Sequence, residues 1–138
     1  MKVFFDTNVY VSEAILGQAS EKMIVATERA AWRIYASAYL LDELVRVLTE
    51  KLGFSRRFAQ LSRQRVIRRA KLCEPGTSRH QVPGDIKDSP VLRAALAAGA
   101  HYLVTNDPHL LTLNPCEGLE IISLTDYYKL LVSQGLIT

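Results

Sequence analysis

The chain has 138 residues, 49% of them hydrophobic and 22% charged, with a formal net charge of +3. That suits one globular domain over residues 1–138 that buries its core without disulfides, and no apolar run is long enough to span a bilayer. Asp6 interrupts the first apolar run too early for a secretory leader, so the expected location is cytoplasmic.

Val3-Phe4-Phe5 is a short apolar run ending at Asp6, as in a buried strand. A helix is expected from Val9, ended or bent at Gly17, and a second from a cap near Ser20. Trp32 to Ala36 is the next strand. Ser37 is a favoured N-cap for a helix in which Leu41, Leu44, Val45, Leu48 and Leu52 recur at three- and four-residue steps, closed by Gly53. From Ser55 to Lys71 a further helix is expected, with Phe54, Phe58 and Leu61 on one face. Arg65 and Arg69 continue that face, so the end of this helix should bend or project past the core. Leu72-Cys73-Glu74 suits a short strand, and Pro75 to Lys87, with its two prolines and two glycines, a loop. Then follow a small-residue helix over 90–98 ended by Gly99, a strand at Tyr102-Leu103-Val104, and a short helix opened by Asp107-Pro108. A strand over 119–122 and a helix over 125–131 complete the chain. Alternating strands and helices predict an α/β/α sandwich around a mostly parallel sheet.

In such sheets ligands bind outside the carboxyl ends of the strands. Four acids belong there: Asp6 after the first strand, Glu43 early in the helix after the second, Asp88 at the start of a helix, and Asp107 after the Tyr102 strand. Singly, each has a plainer reading. Asp6, Asp88 and Asp107 stand where a helix N-cap is useful, and Glu43 can pair with Arg46 one turn on. Together they differ, because clustered carboxylates need an opposite charge, which a hard divalent cation supplies. Thr7 and Asn8, like Thr105 and Asn106, either form local turns or support the neighbouring acid. Cys73 and Cys116 lack metal-ligand spacing and are expected to be reduced thiols; His80, His101 and His109 form no ligand pair. The basic residues, in contrast, are concentrated: seven Arg or Lys fall between Arg56 and Lys71. Arg65 and Arg69 could grip an RNA backbone, solvate the helix, or receive a protein segment.

Four ordered segments, Val3-Phe4-Phe5-Asp6-Thr7-Asn8-Val9, Leu41-Asp42-Glu43-Leu44, Asp85 to Leu92, and Tyr102 to Asp107, resemble PIN-domain proteins, particularly the VapC-like toxins of toxin–antitoxin pairs. The resemblance implies a PIN fold with about five central strands, Mg2+ or Mn2+ as cofactor, and cleavage of RNA phosphodiesters. It makes Asp6, Glu43, Asp88 and Asp107 the acidic, metal-holding and catalytic cluster, with Asp85 and Thr105 assisting. It also implies an antitoxin protein and a second copy of the chain as partners; Tyr127, Tyr128, Leu130 and Leu131 could form the face for the latter, though core packing explains them equally well. Asp42 is the alternative to Glu43 if the helix turns differently, and Lys87 stands where relatives often carry an acid. Two other functions compete. A haloacid-dehalogenase-type phosphatase would want an acid two residues after Asp6, where Asn8 stands. A PIN-like module without activity would bind RNA or protein only.

Overall fold

The computed structural model describes residues 1–73 and 89–138. The expectations for Glu74, the Pro75 to Lys87 loop, His80, Asp85 and Asp88 lie outside the described residues.

Five strands form one sheet: β1 (Lys2–Phe5), β2 (Arg33–Ala36), β3 (Lys71–Leu72), β4 (Tyr102–Val104) and β5 (Glu120–Ile122). Their order is β3-β2-β1-β4-β5 and every pairing is parallel. Parallel strands are covered on both faces, so their sequences are continuously apolar. Val3, Phe4 and Phe5 of β1 are fully buried, as are Leu103 and Val104 beside them. The chain first builds outward from β1 to β3, then returns to build β4 and β5 on the other side. The sheet therefore has its switch point between β1 and β4, the place where such folds open a crevice.

The helices α1 (Thr7–Leu16), α2 (Gln18–Arg29), α3 (Ala38–Arg46), α4 (Arg56–Arg69), α5 (Pro90–Ala97), α6 (Pro108–Leu111) and α7 (Leu124–Ser133) flank the sheet in a PIN-like α/β/α arrangement. Ser37, Ser55, Ser89 and Ser123 each cap a helix, accepting from a backbone N–H three residues on. A buried hydroxyl pair, Thr27 and Tyr127, joins α2 to α7 at 2.6 Å. Among the described residues no helix is long and apolar enough to cross a membrane. Both cysteines are half-buried, and the Cys73 thiol donates to the Ala94 carbonyl.

Several local expectations need correction. The second helix starts at Gln18, with Gly17 in the left-handed region before it; Ser20 lies inside it, buried, and donates to the Ser12 hydroxyl at 3.0 Å. The Leu41 stripe runs into a π-helical turn over Val47–Lys51. Leu41, Leu44 and Leu48 stay buried, but the wider turn shifts the phase and leaves Leu52 44% exposed. On α4 the fully buried residues are Ala59 and Val66; of the expected face only Phe58 packs against the core, half-buried, and Phe54 and Leu61 are exposed. Leu61 is 58% exposed, while Phe54 and Phe58 stack on each other with centroids 4.7 Å apart. The helix therefore stays on the core to its last turn. Of the residues expected to pair two copies, Tyr127 and Leu131 are wholly buried in this chain's own core.

Candidate active site

Asp6 follows β1 directly, and its backbone N–H donates to Val104 O of β4 at 2.9 Å. The switch point thus carries it. Its carboxylate is 7% exposed and already engaged: Oδ1 accepts from Thr7 N at 2.7 Å, and Oδ2 from the Thr105 hydroxyl at 2.7 Å and Asn8 Nδ2 at 3.2 Å. Thr105, fully buried after β4, also accepts from Asp107 N at 3.0 Å. One hydroxyl thereby ties the acid after β1 to the backbone of the acid after β4. Asp107 uses Oδ1 to cap α6, accepting from His109 N at 2.9 Å. Capping and clustering, alternatives at the level of sequence, are both present.

Asp6, Glu43 and Asp107 line one cleft of about 340 Å³ at the carboxyl edge of the sheet. Thr7, Asn8 and Ser89 line it with them, and among the described lining residues no cation appears. Glu43 is half-buried; Asp42 is exposed and not part of the lining. Burial holds the Asp6 carboxyl above its ordinary value against the lowering effect of Thr105 and Thr7, and the charges of Glu43 and Asp107 push it further up. Sequence reasoning missed Tyr39, which lines the cleft one helical turn before Glu43. A hydrogen bond with Glu43, and then burial, raise its phenol. The four-residue spacing on α3 is the signal that places the two on one face.

The donors offered are oxygens throughout. Besides the carboxylates, Thr7 Oγ1 and Asn8 Oδ1 are buried and find no hydrogen-bond partner among the described residues. A buried polar oxygen without a partner is costly unless something outside the chain satisfies it. Together with the mutual repulsion at Asp6, this lining fits a hard divalent cation. Among the described residues, however, no three His, Cys, Asp or Glu side chains converge into a metal-holding group. Such an open lining suits a cation that keeps several waters and needs only one or two protein carboxylates, rather than one held in a closed protein cage.

Asn106 lies outside the lining of the acidic cleft and borders a neighbouring groove, where its Oδ1 accepts from Leu124 N at 3.4 Å. One expectation is corrected here. Arg69 is not free to grip a nucleic acid. Its guanidinium is clamped on the Glu13 carboxylate, with Nη1 donating to Oε2 at 2.7 Å and Nη2 to Oε1. Arg65 is exposed on the same helix.

A parallel five-stranded sandwich with carboxylates gathered over its switch point is an α/β protein with an acidic crevice. The PIN domain family matches residues 2–109, and this chain belongs to that family. Its fold is similar to that of a chain in the crystal structure of VapBC2 from Rickettsia felis bound to a DNA fragment from their promoter. The TM-score is 0.66 and the identity 15%, over 89% of this chain and 98% of that one. No curated protein matches the sequence. Family membership sets the phosphatase reading aside.

Proposed function

We propose that this chain is a divalent-cation-dependent ribonuclease that hydrolyses RNA phosphodiester bonds, the toxin of a toxin–antitoxin pair. The observation that carries the reading is the shared cleft: Asp6, Glu43 and Asp107, from three separate segments of a PIN domain, face one space around a buried carboxylate. Asp88 is assigned to the same set, since it directly precedes Ser89 in the sequence and Ser89 lines the cleft. Asp85 is assigned a supporting role. The fold likeness to a VapBC2 chain favours an antitoxin as partner.

Asp6, Glu43, Asp88 and Asp107 would hold Mg2+ or Mn2+, with Thr7 Oγ1 and Asn8 Oδ1 able to bond water in its shell. When bound, the cation lowers the pKa of water and offsets charge on the phosphoryl oxygens. The chain's own contribution is positioning. Thr105 and Thr7 fix both Asp6 oxygens from a buried frame, so the carboxylate does not reorganise during the reaction. Arg65 is assigned to the RNA backbone.

The test is cleavage of a mixed RNA pool with Mg2+ or Mn2+ by the natural chain, beside Asp6→Asn and Asp107→Asn. Cleavage should need the cation and vanish in both variants. Equal cleavage by all three would overturn the assignment, and metal binding without cleavage of any RNA would favour the inactive module.

A further inference from the structure

Beside the acidic cleft lies a second groove, of about 480 Å³, between the start of α7 and the junction of α1 with α2. We propose that this groove is a nucleotide subsite, holding the RNA strand on one side of the bond to be cut; the proposal rests on the ribonuclease reading above.

Position is the first argument. Asn106 lines the groove and Asp107, the next residue, lines the cleft. On the other wall Val11 faces the cleft and Ser12 the groove. The two spaces thus meet at the β4–α6 turn and along adjacent faces of α1, so a strand leaving the cleft over Asn106 would enter the groove. Leu124, the first residue of α7, borders it just after β5, so it opens at the same carboxyl edge of the sheet.

Chemistry is the second argument. The described lining of the cleft carries three carboxylates and no cation, which repels a phosphodiester chain. The groove reverses this: among the described residues its one charged lining residue is Lys129. Leu124 supplies an apolar surface, and Tyr128 an aromatic ring of the kind on which bases stack. Asn106 spends its Oδ1 on Leu124 N, which leaves the amide nitrogen to donate to a base edge or phosphate. A cation, a ring and an amide donor in a space of this size suit one nucleotide of a single strand.

The test measures binding of a labelled single-stranded oligoribonucleotide to the full chain carrying Asp6→Asn, by fluorescence anisotropy over a range of salt. Lys129→Ala should weaken binding several-fold at low salt and reduce the slope of log K against log salt by about 0.7, the loss of one phosphate contact. Lys129→Arg should restore both. Tyr128→Ala should weaken binding about fivefold or more at every salt concentration, while Tyr128→Phe, which keeps the ring and guards against misfolding, should not. Lys22→Ala, on α2 but outside the lining, should change nothing. In the cleaving chain Lys129→Ala should raise KM more than it lowers kcat. Lys129→Ala and Tyr128→Ala chains that bind like their parent overturn the subsite, and cleavage retained alongside leaves the nuclease reading standing. Lys129-dependent binding without cleavage by the natural chain supports the groove and defeats that reading. A chain that binds no oligonucleotide overturns both.

Discussion

Arg69→Met should destabilise the protein more than almost any other surface-helix substitution. The Arg69 and Glu13 side chains are only 11% and 4% exposed, and the guanidinium meets both carboxylate oxygens. The pair fastens the last residue of α4 to α1, the helix that begins at Asp6. Removing the cation strands a carboxylate in the interior, which costs about 3–5 kcal/mol. Near the melting point each kcal/mol moves Tm by about 3–4 °C in a chain of this length, so the expected fall is about 9–20 °C. The double variant Glu13→Leu with Arg69→Met removes both charges and should recover most of that loss, because a well-packed apolar pair replaces a buried ion pair at little or no cost. Urea denaturation and thermal melts of the three proteins at neutral pH, without added metal, give the comparison. A loss below about 1 kcal/mol for Arg69→Met, or a double variant no better than the single one, would refute the reasoning.

Two further outcomes follow from buried groups. Tyr10 is 2% exposed and its hydroxyl has no partner among the described residues, so Tyr10→Phe should leave stability unchanged or raise it by about 1–2 kcal/mol, read by urea denaturation. Asp6 has a folded pKa above its ordinary value of 3.8, so its ionisation opposes folding. The penalty is absent below about pH 4, grows as pH rises towards the folded value, and is constant above it. In the metal-free protein, stability relative to Asp6→Asn should therefore fall over that window and then level, and Mg2+ should raise the Tm of the natural chain only. A stability difference that rises with pH would contradict the burial argument.

Much of this was legible in the amino-acid order. Val3-Phe4-Phe5 and Tyr102-Leu103-Val104 are apolar without interruption because both faces of a parallel sheet are covered, and Ser37 announces α3 because few residues cap as well. The acids after those strands follow from the alternation of strands and helices, while Glu43 rather than Asp42 rests on the family resemblance, with which the helical phase agrees. On α4 the same reasoning failed. Helical spacing groups Phe54, Phe58 and Leu61, but the smaller Ala59 and Val66 are the residues fully buried, with Phe58 only half-buried and Phe54 and Leu61 exposed. The phase of a helix against its neighbours is a packing outcome. The π turn after α3 is likewise absent from any local pattern.

What the sequence determines alone is which segments become strands and helices and which acids follow them, because those depend on neighbours a few positions away. Tertiary structure alone decides which distant groups meet. Thr105 lies 99 residues from the carboxylate it holds, and Arg69 lies 56 residues from the Glu13 that withdraws it from solvent. Such pairings follow from strand order and helix packing, through which β1 is set beside β4 and α4 against α1, so residue spacing along the chain carries no trace of them.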